Sequence, residues 1–197
     1  MNAQASSPGG ARLNPKAAPA YGTVEEQRLR HTQEFLGTEL AGPALDIGPK
    51  NGFGDALGAR YGIAVVNTEG DLDLDRWGPD RPAPAGGFPA VFCFEVIEHL
   101  LNPLFFLVRL RAHCGPSTRV FITYPLRPRF FWSDIHWHEI DRRRFRYLLD
   151  QAGYEAVRYQ EKLLWRERRF YFSGLRPFLR LTIGRTRSQM YELRLRG

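Results

Sequence analysis

From Thr23 to about Tyr159 the chain alternates short unbroken apolar runs with longer stretches of helical period, and glycine or proline separates them. Ala44-Leu45-Asp46-Ile47, Ile63-Ala64-Val65-Val66, Val91-Phe92-Cys93-Phe94 and Arg119-Val120-Phe121-Ile122-Thr123 have the length and β-branched or aromatic content of strands. The third has no polar alternation, which predicts burial on both faces. Thr23-Val24-Glu25-Glu26 has the form of a capping box, opening a helix that runs towards Leu40 until Gly42-Pro43 breaks it. Further helices are predicted from about Phe53 to Arg60, from Asn102-Pro103 to Gly115-Pro116, and from Arg142 to Ala152, closed by Gly153. Val157 and Tyr159 start another strand. From Leu163 onward no period emerges. The alternation of strand and helix predicts an α/β fold with a mainly parallel sheet.

Composition limits the setting more than the chemistry. A chain of 197 residues with 43% hydrophobic and 25% charged residues fits one globular domain. Residues 1–20, rich in Ala, Pro, Gly and Ser, read as a flexible tail. Residues 21–160 form the folded domain, and residues 161–197 a basic, aromatic C-terminal extension of it. The two cysteines, Cys93 and Cys114, exclude a disulfide scaffold and favour a reducing, cytoplasmic location. Neither a signal-peptide core nor a run of about 18 apolar residues is present, so no transmembrane segment is expected. The net charge of +7 is uneven: from Arg142 to Gly197 there are 15 lysines and arginines against 5 acids. Such a basic third either faces anions or forms a solvated exterior.

The first chemical cluster is Asp46-Ile47-Gly48-Pro49-Lys50-Asn51-Gly52. A strand ending in a glycine turn brings backbone close to a ligand at the carboxyl edge of a parallel sheet. Glu69 follows 23 residues after Asp46, where nucleotide-binding α/β folds carry an acid for ribose hydroxyls. The bland alternative is a structural turn followed by the acidic loop of Glu69, Asp71, Asp73 and Asp75.

These passages resemble the class I S-adenosylmethionine-dependent methyltransferases over about residues 43–157. ALDIGPKNGFGDAL is similar to the family's cofactor loop, and Val66-Asn67-Thr68-Glu69 to its ribose-binding strand end. FPAVFCFEVIEHLLNPLFFLVRL followed by RVFITYP resembles its fourth strand, helix and fifth strand. The resemblance implies a Rossmann-like fold with helices on both faces and S-adenosylmethionine as cofactor. Asp46, Gly48, Lys50, Asn51, Gly52, Glu69, Asp71, Phe94 and Glu95 would then border the cofactor. Gly48 and Gly52 would flank its methionine portion, Asp46 order the loop and Glu69 hold the ribose, with Asp71, or Asp73 beyond that set, facing the adenine. Two departures stand out. Lys50 occupies the middle glycine of D-x-G-x-G-x-G, and only 18 residues lie between Glu69 and Phe88, too few for the usual helix and third strand. A reduced third-strand region is therefore expected, and a non-catalytic protein with a degenerate form of the fold is a rival reading.

The second cluster is Glu95, Glu98 and His99 with His136 and His138. If Glu95 opens a helical turn, positions i, i+3 and i+4 share a face and two carboxylates converge with an imidazole. Oxygen and nitrogen donors of this kind suit a divalent ion. The E-x-x-E-H followed by HWHEIDRRRF also resembles the small-RNA 2′-O-methyltransferases. That likeness implies a magnesium or manganese ion on Glu95, Glu98, His99 and His136 as the alternative to a site with no metal. Without a metal, His136 or His138 is the candidate general base, or else a hydrogen-bonding partner of its loop. Phe130, Phe131, Trp132 and Trp137 would wall a pocket or simply fill core. The expected acceptor is a small molecule, such as a glycan or lipid-linked precursor, with RNA as the alternative.

Overall fold

The computed structural model of the protein describes residues 23–126, 136–166 and 186–197. The expected tail at 1–20, the aromatic cluster Phe130, Phe131 and Trp132, and most of the predicted C-terminal extension lie outside them. In chain order the elements are α1 (Val24–Leu36), β1 (Ala44–Asp46), α2 (Gly52–Tyr61), β2 (Val65–Asp71), β3 (Arg76–Pro79), β4 (Phe88–Phe94), α3 (Pro103–Leu110), β5 (Cys114–Leu126), α4 (Arg142–Ala152), β6 (Tyr154–Leu164) and β7 (Thr186–Leu195). A short 3₁₀ turn, Ile97–His99, separates β4 from α3, and a second, Arg111–His113, precedes β5. The strands form one sheet in the order β3-β2-β1-β4-β5-β7-β6. β2, β1, β4 and β5 are mutually parallel, while β3 and β7 run antiparallel to their neighbours. This is the Rossmann-like α/β arrangement.

Local signals account for most element ends. Thr23 and Glu26 make the reciprocal capping box, with Glu26 N donating to Thr23 Oγ1 at 3.1 Å and Thr23 N to the Glu26 carboxylate at 2.6 Å. The helix stops at Leu36, not Leu40, because Gly37 takes a φ of +90° that terminates the turn before Gly42-Pro43 is reached. β2 starts two residues later than the apolar run and extends through Glu69 to Asp71, since β3 offers those residues an antiparallel partner. The expected reduction of the third-strand region thus takes the form of a four-residue edge strand returning directly from β2. Gly115-Pro116 does not end a helix. α3 closes at Leu110, and Gly115-Pro116 lies inside the 13-residue β5, which is also longer than the predicted strand. α4 runs from Arg142 to Ala152 with Gly153 in the left-handed conformation behind it, as the sequence predicts.

Alternate residues of the central strands feed two cores. On one face Val91, Cys93, Val120, Ile122 and Tyr124 pack with Phe106 and Leu107 of α3 and Phe145 and Leu149 of α4. On the other face Ala90, Phe92 and Phe121 pack with Phe35 and Leu36 of α1 and Leu57 of α2. Each fully buried apolar side chain contributes about 1.5–3 kcal/mol, so the unbroken apolar run in β4 is the cost-free solution for a strand covered on both sides.

An ionic cluster ties the antiparallel half of the sheet to α1. Glu192 of β7 is nearly buried and accepts from Arg119 Nε at 2.7 Å and Arg158 Nε at 3.0 Å, and Arg158 also donates to the Phe35 carbonyl at the end of α1. Burial alone raises the Glu192 carboxyl, but the hydrogen bond and charge of Arg119 and the charge of Arg158 outweigh it, so its pKa is lowered overall. Because the folded pKa is depressed, this stabilisation is present above the ordinary carboxylate range and is lost as pH falls through the folded value. Replacing Glu192→Ala leaves two guanidiniums facing a hole; we expect a loss of about 3 kcal/mol in urea unfolding at neutral pH, shrinking in acid.

Candidate functional site

Parallel pairing brings three strand ends to one level. Asp46 of β1 is in register with Asn67 of β2 and with Phe92 of β4. Two residues further along each strand stand Gly48, Glu69 and Phe94, so the glycine loop, the acid and the aromatic share the carboxyl edge of the sheet.

The loop between β1 and α2 is held by side chains. Asn51 caps α2, its Oδ1 accepting from Phe53 N at 3.0 Å and Gly54 N at 2.9 Å, and its Nδ2 donates to Asp46 Oδ2 at 3.3 Å. Asn67 Nδ2 reaches the same Asp46 oxygen at 3.4 Å and the Gly48 carbonyl at 3.3 Å. Thr68 completes the tie, its Oγ1 accepting from Gly48 N at 2.7 Å and its N–H donating to Gly48 O at 3.2 Å. Gly48 has a φ of +118°, which a side chain would strain. Gly54 is needed for closeness: a Cβ there would lie 2.5 Å from Asp46 Oδ2. Burial pushes the Asp46 carboxyl up to about 7, against the opposing hydrogen bonds from Asn51 and Asn67.

The remaining residues predicted for this edge fall into two groups. Glu69 and Asp71 are exposed on β2, opposite Gly78 and Arg76 of β3, and Asp71 Oδ1 accepts from Asp73 N at 3.0 Å. Gly52 opens α2 with open space where a Cβ would stand. Lys50 is not brought to the loop's inner face: its exposed ammonium lies 3.6 Å from Asp55 on α2, lining a crevice with Asn67 and Asp80.

Glu95 departs from the expected helical turn. It follows β4 in a left-handed conformation, φ +57°, which costs a non-glycine residue about 1–2 kcal/mol. Three contacts over-determine it: Glu95 N donates to Thr123 O at 2.8 Å, Thr123 Oγ1 donates to its carboxylate at 3.2 Å, and Arg28 Nη2 of α1 pairs with it at 2.7 Å. The expected helical turn opening at Glu95 is corrected accordingly. Helical i, i+3, i+4 stacking does not begin at Glu95, because the only turn here is the 3₁₀ segment from Ile97. Among the described residues, Glu98, His99 and His136 are the group that converges, with donor atoms within 4.8 Å of one another. Glu98 is 1% exposed, neither of its carboxylate oxygens has a hydrogen-bond partner, and burial, then the charge of Glu95, push its pKa up to about 8.

His136 and His138 separate in role. His136 Nδ1 lies 3.3 Å from the Glu139 carboxylate, with both side chains almost fully buried, and its ring meets that of His99 edge-on at 4.8 Å. A carboxylate only accepts, so this contact favours the tautomer with the proton on Nδ1. His138 Nε2 instead lies 3.2 Å from the Leu101 carbonyl, while the N–H groups of Trp137 and His138 donate to Glu98 O at 3.0 and 3.3 Å. These contacts pin the segment to the 3₁₀ turn and the residues leading into α3. Beside these residues opens a cavity of about 870 Å³ between the start of α3 and the segment leading into α4. Cys93 is buried in β4, its pKa pushed well up by burial, as expected for an inert thiol.

Sequence reasoning missed Arg28, Gly54, Asn67, Thr68 and Glu139. Asn67 and Thr68 did carry a signal, as polar residues closing an apolar β-branched run. Arg28, one of several charges along an amphipathic helix, carried none.

These elements lie at the carboxyl edge of a doubly wound sheet, the edge at which ligands bind in open α/β folds. A sequence model of the methyltransferase domain matches residues 23–171, and the chain belongs to that family, the class I S-adenosylmethionine-dependent methyltransferases. Comparison with curated proteins by sequence finds no match. Among solved structures, a SAM-dependent methyltransferase from Archaeoglobus fulgidus is similar with a TM-score of 0.58 at 13% identity, over 87% of this chain and 95% of that one. Phosphoethanolamine N-methyltransferase 2 of Haemonchus contortus, in complex with phosphomonomethylethanolamine and S-adenosylhomocysteine, gives 0.57 at 10% identity, over 91% of this chain and 54% of that one. The [4+2]-cyclase SpnF gives 0.54 at 11% identity, over 93% and 85%. At such identities the likeness is one of fold.

The raised Asp46 carboxyl fixes a sign. Between its ordinary value of 3.8 and about 7 the folded chain retains a proton that the unfolded chain releases, so this group makes stability fall as pH rises. Thermal unfolding of Asp46→Asn against the parent should therefore show the variant gaining about 2–4 kcal/mol relative to the parent from about pH 4 to pH 8. A constant difference across that window would contradict the assignment.

Proposed function

We propose that the chain methylates a small-molecule acceptor by in-line displacement, with the cofactor bound across Gly48, Gly52, Glu69 and Phe94 and the acceptor in the cavity beside His136. The observation that carries this reading is the cavity's place between the start of α3 and the segment leading into α4, elements that follow the parallel strands β4 and β5, with a size typical of small-ligand sites. Bound S-adenosylmethionine supplies a methyl group already activated by its sulfonium. The protein's tasks are then to align, to exclude water and to accept a proton. Glu69 accepts from the ribose hydroxyls. Asp46, through Asn51 and Asn67, keeps the loop in place. His136, oriented by Glu139, takes the acceptor's proton at Nε2 as the new bond to the methyl carbon forms and the bond to sulfur breaks. The left-handed Glu95, latched to α1 by Arg28, closes the cofactor edge from the helical side.

A second reading, in which a divalent cation assists methylation of RNA, is favoured by the Glu98, His99 and His136 cluster. Its buried carboxyl, which has no hydrogen bond and lies 3.8 Å from His99 Nε2, is the donor a cation would satisfy, and Glu139 would orient His136 from behind. Such an ion would polarise an acceptor hydroxyl.

Two measurements bear on these readings. Calorimetric titration with S-adenosylhomocysteine should give saturable one-to-one binding, weakened at least about tenfold by Glu69→Ala through loss of hydrogen bonds to a charged acceptor. No binding at millimolar ligand would favour the non-catalytic rival. Titration with manganese should give no saturable heat on the small-molecule reading; binding that disappears in Glu98→Gln and His136→Ala would establish the metal reading instead.

A further inference from the structure

The first turn of α4 carries charges that its own electrostatics disfavour. Arg142, Arg143 and Arg144 occupy the three opening positions, and no acid stands in that turn. The unpaired N–H groups there already make the positive end of the helix dipole. Asp141, the cap, accepts from Arg144 N at 2.9 Å and lies 3.6 Å from its Nε. The three guanidiniums then diverge. Arg142 lies over the ring of Tyr159, 4.1 Å from its centroid, on the sheet side, whereas Arg143 and Arg144 line the 870 Å³ cavity. Among the described residues Arg143 has no ion-pair partner. Glu139, another acid of the lining, is buried against His136. The cavity thus receives two guanidiniums, of which Arg144 is paired with Asp141 and Arg143 has no acid beside it among the described residues.

The same cavity is lined by Trp137 and Tyr147, each 64% exposed. Two large rings facing solvent beside two guanidiniums form a recognition set: aromatic faces cover a ring, and planar guanidinium forks meet the oxygens of a phosphate or carboxylate. A polynucleotide track needs successive stacking platforms along a cationic groove. One compact cavity with a pair of each suits a single ring bearing one anionic group.

We propose that this cavity is the acceptor subsite for an anionic, ring-bearing small molecule, a sugar phosphate or a sugar acid. The anion sits on Arg143 and Arg144, and the ring lies against Trp137 and Tyr147. The assignment rests on the methyltransferase reading and names its acceptor class.

The test is calorimetry on the full chain saturated with S-adenosylhomocysteine, at low ionic strength, with glucose 1-phosphate, glucuronate and glucose as probes of one ring and three charges. At least one anionic sugar should bind at least about tenfold more tightly than glucose. Which one prevails separates phosphate from carboxylate. The double variant Arg143→Ala, Arg144→Ala should lose that preference while keeping its affinity for S-adenosylhomocysteine, which reports that the fold is intact. Trp137→Ala should weaken the anionic sugar without changing the order of preference. Equal affinities for the three sugars, binding of none, or a preference that survives the double variant would overturn the proposal. So would a short single-stranded RNA that binds through the same arginines more tightly than either anionic sugar. If S-adenosylhomocysteine itself fails to bind, the cofactor reading fails on its own, and the sugar comparison still decides the subsite.

Discussion

One buried carboxylate joins the parts on which the cofactor edge depends. Asp46 Oδ2 receives amide hydrogens from Asn51, the cap of α2, and Asn67 of β2, so that first strand, first crossover helix and second strand share an acceptor. Burying a carboxylate is expensive unless such donors compensate it, and here the compensation defines the site. The loop cannot move away from β1 without stranding Asp46. The close fit of Gly54 over the same oxygen removes the room in which it might shift.

The opposite half of the sheet solves a different problem. β7 enters between β5 and β6, so the strand nearest the C-terminus is interior and its polar side chains need partners. Glu192 finds two arginines, and Gln189 accepts from the Tyr159 hydroxyl and donates to Glu161. Much of the positive charge concentrated after Arg142 is engaged in this structural pairing. Arg158, Arg187 and Arg196 all meet acids. In the first turn of α4, Arg144 meets Asp141, and both Arg143 and Arg144 line a cavity.

Between these halves, the segment after β4 is shaped by backbone as much as by side chains. The left-handed Glu95 redirects the chain into a short 3₁₀ turn, and the carbonyl of Glu98 then receives two N–H groups from the segment carrying His136 and His138. The segment that lines the cavity is thus held to the turn that follows β4. Among the described residues no helix is long and apolar enough to cross a membrane.

Much of this was legible in the amino-acid order. The capping box at Thr23, the apolar run of β4, the Asn102-Pro103 entry to α3 and the Gly153 exit from α4 are local, and local propensity with periodicity determined them. So too was the glycine loop with an acid 23 residues on, since both strand ends are fixed by their own short runs. What only the tertiary structure decided is non-local. The place of β7 depends on pairing with β5, as with Leu126 and Arg187 or Val120 and Leu193, far apart in the chain. The extension of β2 depends on β3 returning beside it. The separation of Glu95 from Glu98 depends on a backbone angle imposed by Arg28 and Thr123. Sequence spacing assumes a continued helix and so stacks those two carboxylates, whereas packing turns one towards α1 and buries the other beside two histidines. Hydrogen bonds and ion pairs between distant residues leave no period in a sequence, and they assign these side chains their neighbours.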